Sequence, residues 1–111
     1  MRIYRLITTQ DWLHAQKTDC LTPTDADKAS GFMHFSPASE VAETARRYFQ
    51  TDPPPLVLEL DSDDLGPALK MESVSSRNNV AFPHYFGSAV ALCHVKDVWE
   101  LKSYLEENLE P

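Results

Sequence analysis

The sequence contains few glycines, few cysteines and no long apolar run, and each shortage argues against a class of protein. Three glycines supply neither a dinucleotide-binding fingerprint nor a phosphate-binding P-loop. Cys20 and Cys93 are too few and too far apart for a disulfide framework, so we expect reduced thiols. No segment approaches the roughly 18 apolar residues of a membrane span. The strand-like start Met1–Tyr4 does not resemble a signal peptide, and we expect a cytoplasmic protein.

Basic residues are also scarce, with 10 Lys and Arg against 17 Asp and Glu and a formal net charge of −7. Proteins that bind polyanions normally carry the opposite charge, so binding to nucleic acid or to an anionic membrane is not expected. A small anionic ligand held by one or two local cations remains compatible with this charge. The length of 111 residues predicts one domain, residues 1–111. Nothing in the sequence indicates an oligomeric state.

The most informative stretch runs from Gly31 to Phe49. Consecutive aromatic and large apolar residues predict a strand over Phe32–Phe35 that is buried on both faces. Because side chains alternate along a strand, two sets face opposite ways: Phe32, His34 and Ser36 on one face, Met33 and Phe35 on the other. Ser36 and Pro37 suit the N-cap and first position of a helix that continues to Phe49.

Shorter patterns complete the expected architecture. We predict strands over Ile3–Ile7, Leu56–Asp61, Lys70–Glu72 and Ala89–Val95, helices from Thr8 or Thr9 to about Lys17 and over Tyr104–Leu109, and loops over Cys20–Ser30 and Phe82–Gly87. Short strands with two substantial helices and no repeated βαβ unit predict an α+β fold with a small mixed sheet. The main strands are expected to share one core, against which the Pro37–Phe49 helix packs.

Three segments contain candidate site residues. Arg5 lies on an otherwise apolar strand face, so it either sits at a sheet edge with its head in water or points into a cleft, where its planar fork suits a phosphate. His34 is either a buried imidazole bonded to backbone or a ligand contact. The aromatic segment Phe82–Tyr85 with His84 either covers one end of the core or lines a cleft. The four histidines lack the ligand spacing of a metal site, so we predict no bound metal.

Several of these segments together resemble the small bacterial proteins called domain of unknown function 952. The most specific are Gly31-Phe32-Met33-His34-Phe35-Ser36 and Phe82-Pro83-His84-Tyr85, and the resemblance extends over nearly the whole chain. That family is similar in fold to the ADP-ribosyltransferase superfamily, which implies a split β core. By this resemblance, Arg5 contacts NAD and the Gly31–Ser36 segment shapes the nicotinamide pocket.

The same resemblance implies roles in catalysis. Glu72 is the candidate for the superfamily's late glutamate, whose carboxylate would stabilise positive charge on the ribose as nicotinamide leaves. His34 would donate a hydrogen bond to a ribose hydroxyl or a carbonyl. NAD would then be a substrate, with no resident cofactor required. The expected catalytic residues are Glu72 and His34, and the expected ligand contacts are Arg5, His34, Ser36, His84 and Tyr85.

We therefore expect a cleft that accepts a phosphate-bearing small molecule, NAD-like by resemblance, either as the ligand of a binding protein or as the substrate of an ADP-ribosyl transferase. The alternative is a non-catalytic ligand- or partner-binding domain that keeps the fold. One concavity lined by Arg5, His34 and His84 would favour a ligand site over a protein-docking surface. A Glu72 directed away from it would favour binding over transfer.

Overall fold

The computed structural model describes residues 1–108 as short strands and helices connected by 3-10 turns. The strands are β1 (Arg2–Ile7), β2 (Cys20–Leu21), β3 (Met33–His34), β4 (Leu56–Asp61), β5 (Leu69–Val74), β6 (Val80–Tyr85), β7 (Val90–Ala91) and β8 (Asp97–Glu100). The α-helices are α1 (Thr9–Thr18), α2 (Asp25–Ser30), α3 (Val41–Tyr48) and α4 (Leu101–Glu107). The α+β class is as predicted. Within this part of the chain, no helix is long and apolar enough to cross a membrane.

The strands form three small sheets. β4 is central in the first, between β1 and β8, and β6 is central in another, between β3 and β5, while β2 pairs with β7 alone. Every strand pair of residues 1–108 is antiparallel, so the prediction of a mixed sheet is wrong. Tyr4 and Ser36 exchange backbone hydrogen bonds of 2.9 and 2.7 Å. This bridge joins the β1–β4–β8 sheet to the chain that leaves β3.

Strands β1 and β4 carry an apolar cluster on each face. On one face, buried residues of the predicted strands pack together: Ile3, Ile7, Met33, Phe35, Leu58, Leu60 and Val90. On the other face, α3 and α4 pack against the strands through Tyr4, Leu6, Val41, Ala45, Val57 and Tyr104. The main strands therefore share a core as predicted, whereas the helix after β3 packs on the opposite side of β1 and β4.

The chain after β3 differs from the expected strand and capped helix. The strand is only Met33–His34, and α3 begins at Val41 after a 3-10 turn over Ala38–Glu40. Pro37 has extended dihedral angles, so the helix cannot begin there. Ser36 does not cap it, because its buried hydroxyl lies 3.0 Å from the Thr44 hydroxyl.

The expected loop over Cys20–Ser30 contains both β2 and α2, which corrects that prediction. The Thr24 hydroxyl accepts a hydrogen bond from the Asp27 N–H, and the Asp27 carboxylate accepts one from the Thr24 N–H. This reciprocal pair is a capping box that begins the helix. Gly31, with a φ of 88°, ends it in the left-handed conformation that glycine adopts readily. The six helical residues contain no apolar stripe, so periodicity did not indicate them.

The aromatic segment expected as a loop is the second half of strand β6. A proline is unusual in a central strand because it lacks an N–H. Here the Pro83 carbonyl accepts a hydrogen bond from the Phe35 N–H at 3.2 Å. Since the N and O atoms of one residue point to the same side of a strand, the missing N–H also faces β3, which ends at His34. Pairing of β6 with β5 therefore loses no hydrogen bond at Pro83.

The last part of the chain also differs from its prediction. The strand expected over Ala89–Val95 is shortened to β7, and a 3-10 turn over Leu92–His94 follows it. Strand β8 was not predicted, and α4 begins directly after it, at Leu101. The predicted helix end at Leu109 lies outside the described residues.

Replacing a residue of the shared core tests this architecture. Leu58 is fully buried on the central strand β4, and Leu58→Ala should lower the free energy of unfolding by about 2–5 kcal/mol because it leaves a cavity. The matched control is Leu13→Ala on α1, where the leucine is 59% exposed. Urea unfolding should show a control effect within about 0.5 kcal/mol. Equal effects of the two substitutions would contradict the assignment of Leu58 to the core.

Candidate functional site

A cleft of about 1180 Å³ lies where β1 meets α2, β3 and the β5–β6 region. This volume exceeds the roughly 300–1,000 Å³ of typical small-molecule pockets. Its walls include every polar or charged residue that is buried among residues 1–108: Arg5, Asp27, Ser36, Arg77 and His84. Proteins bury such groups only where partners satisfy them, so their concentration in one cleft marks it as the candidate site.

Asp27 links three segments at one end of the cleft. One of its carboxylate oxygens accepts hydrogen bonds from His34, through the backbone N–H at 3.1 Å and from ring atom Nδ1 at 2.7 Å. The other oxygen accepts from Arg5 Nη2 at 2.6 Å and from the Thr24 N–H at 2.8 Å. Arg5 Nη1 donates in turn to the His34 carbonyl at 2.9 Å. These contacts hold α2, β1 and β3 in one arrangement.

The hydrogen bonds to Asp27 determine its ionisation. Burial alone raises the pKa of its carboxyl, because charge is disfavoured away from water. The hydrogen bonds from His34 and Arg5, the charge of Arg5 and the Thr24 N–H outweigh burial and hold the pKa of Asp27 well below its usual range. Asp27 is therefore an anion at neutral pH. Because Asp27 binds Nδ1 of His34, the other ring nitrogen, Nε2, points away from Asp27.

His84 has a similar carboxylate partner. Its Nδ1 lies 2.8 Å from Glu72 Oε1, and its side chain is 10% exposed, compared with 45% for His34. His34 and His84 stand directly opposite each other on β3 and β6, with ring centroids 6.2 Å apart. The ring of Phe32 stacks on that of His84, with centroids 3.8 Å apart, and its centroid lies 4.7 Å from that of His34. The cleft thus holds two imidazoles, each bound at Nδ1 by a carboxylate.

The pleat of the β3–β6–β5 sheet explains why these groups meet. His34 and His84 are directly paired, and Phe82 precedes His84 by two residues, so all three share a face. Glu72 is paired with Phe82 across β5 and β6 and lies on this face as well. The opposite face carries Met33 and the ring of Tyr85, which pack on the apolar core.

Arg77 is a second buried cation in the cleft. Its Nη2 atom lies 3.0 Å from both Glu40 Oε1 and Thr44 Oγ1, and its guanidinium carbon is 4.6 Å from the centre of the Phe82 ring. Among residues 1–108, Nη1 and Nε of Arg77 have no hydrogen-bond partner. Glu40 and Thr44 therefore hold Arg77 at the cleft wall through Nη2 alone.

The structure separates the sequence-predicted site residues into two groups. Arg5, His34, Ser36 and His84 line the cleft, together with Phe82. Both Nη atoms of Arg5 are bound by protein oxygens, and its Nε is buried without a partner in the described chain. Glu72 and Tyr85 are not part of the cleft wall; Glu72 binds His84, and the Tyr85 hydroxyl donates to the Ala89 carbonyl at 3.2 Å.

Sequence reasoning missed Asp27 and Arg77. Thr24 and Asp27 have the spacing of a capping box ahead of Gly31, a signal that could have indicated α2. No local signal marks Arg77, which lies in a 3-10 turn between β5 and β6. Within residues 1–108, no group of three or more His, Cys, Asp or Glu side chains is arranged to hold a metal ion.

Comparisons with known proteins match the chain to a family model and to solved structures. A family model described as a protein of unknown function (DUF952) matches residues 6–98. The crystal structure of CC0527 from Caulobacter crescentus is similar at 25% identity, with a TM-score of 0.82 over 90% of this chain and 85% of that one. The solution NMR structure of CC0527 has a TM-score of 0.77 at 24% identity over 97% and 96% of the two chains. No curated protein matches the chain significantly.

Replacing Asp27 tests the link that it forms. Asp27→Asn removes the charge that compensates the buried Arg5, whose side chain is 4% exposed, and should lower the free energy of unfolding by about 3–5 kcal/mol. The matched control is Asp25→Asn, an exposed position in the first turn of the same helix, with an expected effect below about 1 kcal/mol. Similar urea midpoints for the two variants would show that the buried pair does not stabilise the fold.

The pH dependence of stability provides a second test. Because the folded-state pKa of Asp27 lies below its ordinary value of 3.8, its stabilisation is complete above about that pH and is lost as the pH falls through the folded pKa. Between about pH 4 and 2, wild-type stability should fall more steeply than that of Asp27→Asn, by up to about 1.4 kcal/mol per pH unit. Glu43, with a pKa of about 2, titrates in both proteins. Parallel pH curves would contradict the ionic state assigned to Asp27.

Proposed function

The chain belongs to the DUF952 family of proteins of unknown function, and we propose that it binds a phosphate-bearing small molecule in the cleft around His34, His84 and Arg77. NAD is the first ligand to consider, because the sequence resembles a family related in fold to ADP-ribosyltransferases. The observation that carries the proposal is the location of all the buried polar residues of the described chain in this one cleft. Perturbed or buried polar groups concentrate in this way at functional sites.

The charge distribution favours an anionic ligand of small size. The whole chain has a net charge of −7, whereas Arg77 and the two imidazoles place hydrogen-bond donors in the cleft. A guanidinium with free donor nitrogens suits phosphate oxygens, because its planar fork makes charge-assisted hydrogen bonds. Glu40 binds Arg77 at Nη2 and so orients the guanidinium, whose other nitrogens we assign to the ligand's phosphate. We assign the phosphate contact to Arg77 and a positioning role to Arg5.

The aromatic rings extend this preference to a nucleotide. Phe32 is half-buried and lines the cleft. Its ring centroid lies 5.6 Å from that of Phe86, a residue that is 45% exposed. Phe82, two residues before His84 on β6, packs against the Arg77 guanidinium in the same cleft. We assign stacking on a nucleobase or nicotinamide to Phe32, and such stacking contributes about 1–3 kcal/mol per base. Phosphate and ring contacts together favour a mononucleotide or dinucleotide.

The position of Glu72 favours binding over ADP-ribosyl transfer. The transferase step would need a carboxylate beside the ribose to stabilise positive charge. Glu72 lies outside the cleft wall, and its carboxylate holds His84 Nδ1. We therefore propose that Glu72 orients His84 and that His34 contacts the ligand through Nε2. Ser36, bonded to Thr44, shapes the wall behind the phosphate.

Titration calorimetry with NAD, ADP-ribose, AMP and inorganic phosphate tests the binding site. A charge-assisted contact contributes about 1.5–3 kcal/mol, so Arg77→Gln should weaken binding about tenfold to a hundredfold. Circular dichroism at the assay temperature establishes that the variant is folded. The matched control is Arg46→Gln, an exposed arginine of α3 whose side chain pairs with Glu43.

Two results would contradict the proposal. In one, none of the four compounds binds the wild-type protein at millimolar concentration. In the other, Arg77→Gln binds as tightly as Arg46→Gln. Weaker binding by Arg77→Gln alone, with full binding by the control, supports a phosphate site at the buried cation rather than a general response to a lost positive charge.

A further inference from the structure

Building on the proposed binding site, we infer that His34 and His84 act as general base and general acid in the cleavage of a small phosphodiester that has a hydroxyl group next to its ester. Dinucleoside monophosphates are the simplest members of this substrate class. The inference requires the binding function proposed above and adds a reaction to it. It rests on the positions of the two rings and on the difference between their charged neighbours.

The rings are placed for a shared substrate. Their centroids are 6.2 Å apart and their planes are inclined by 69°, so they do not stack on each other. Each Nδ1 is held by a carboxylate, and in the described part of the chain neither Nε2 has a hydrogen-bond partner. On this inference, the two Nε2 atoms hydrogen-bond to different oxygens of one phosphate group, each over about 2.8 Å.

The charged neighbours assign the two roles. Asp27 is already neutralised by Arg5 at 2.6 Å, so this cluster is electrically neutral when His34 is neutral. A neutral His34 donates from Nδ1 to Asp27 and has a lone pair on Nε2, as a base requires. Within residues 1–108, Glu72 has no cation within salt-bridge distance other than His84, so that pair is neutral when His84 is protonated. A protonated His84 carries a proton on Nε2, as an acid requires.

Other charges near the rings do not reverse this assignment. Lys70 is paired with His84 across β5 and β6, but it is exposed, and its charge is screened by solvent. The Glu72 carboxylate lies in direct contact at 2.8 Å. Arg5 reaches His34 only through its backbone carbonyl.

The reaction needs no group beyond these. His34 Nε2 removes the proton of the substrate hydroxyl, whose oxygen attacks phosphorus and forms a P–O bond in a cyclic phosphodiester. The P–O bond to the leaving alcohol breaks, and its oxygen takes the proton from His84 Nε2. His34 ends protonated and His84 neutral, and exchange with solvent restores both. Arg77 compensates the charge that develops on the phosphate oxygens.

The experiment compares two substrates with different leaving groups. In a dinucleoside monophosphate, uridylyl-3′,5′-adenosine, the leaving alkoxide needs a proton; in uridine 3′-(4-nitrophenyl phosphate), the nitrophenolate does not. His34→Gln should lower kcat/KM about 10²–10⁴-fold on both substrates. His84→Gln should do so on the dinucleoside monophosphate and change the nitrophenyl ester less than about tenfold. The control is His94→Gln, on a 3-10 turn outside the cleft, purified in parallel.

The pH dependence of kcat/KM should agree with these roles. For the dinucleoside monophosphate the wild-type profile should rise and then fall, because the base must be neutral and the acid protonated. The falling limb should be absent for the nitrophenyl ester. Glu72→Gln should lower the rate on the dinucleoside monophosphate alone, which a purely structural role of Glu72 would not do.

Each outcome decides between the two proposals. A wild-type protein that binds nucleotides in calorimetry but cleaves neither ester overturns the catalytic inference and leaves the binding function intact. A protein that neither binds nor cleaves contradicts both. Cleavage that survives in His34→Gln overturns the role of the base. Equal losses on both esters in His84→Gln overturn the role of the acid.

Discussion

The structure depends on one buried carboxylate that must be fully paired. Asp27 accepts four hydrogen bonds, and its partners come from α2, β1 and β3. A buried charge is tolerated only when partners compensate its lost hydration, so this requirement fixes where the three segments lie relative to each other. The same carboxylate begins a helix, neutralises Arg5 and orients His34. Removing Asp27 would leave each of these partners without its carboxylate acceptor.

This constraint connects stability to the candidate function. Apolar clusters on the two faces of β1 and β4 supply the hydrophobic stabilisation of the fold. The buried polar residues add less net stability, because the cost of desolvating them offsets much of the free energy that each hydrogen bond gains. Their concentration in one cleft is the basis of the ligand site that we propose. The family model is described as a protein of unknown function, so the proposal rests on the chemistry of these residues.

The local pattern of apolar residues predicted much of the fold, because apolar residues recur along a strand or helix at the positions that are buried. Local patterns correctly predicted the strands β1 and β4 and the helix after Thr8. They also predicted which side chains around His34 share a face of the strand. These patterns failed where helix caps or pairing with a distant segment, rather than apolar burial, determine the local structure. Helix α2 is specified by caps rather than by an apolar stripe, and strand β6 accepts Pro83 because the missing N–H falls where β3 has ended. Short strands such as β2 exist only because a distant segment pairs with them.

For the candidate site, the sequence by itself determined which groups were available: a strand arginine, two histidines among aromatic residues, and few other cations in an acidic chain. It also determined that His34 faces away from Met33, since alternation is a property of one strand. Only the tertiary structure decided the partners. Asp27 lies 22 residues from Arg5, and Arg77 lies 37 residues from Glu40. Side-chain pairing over such separations depends on how the sheets pack, and no local pattern encodes it.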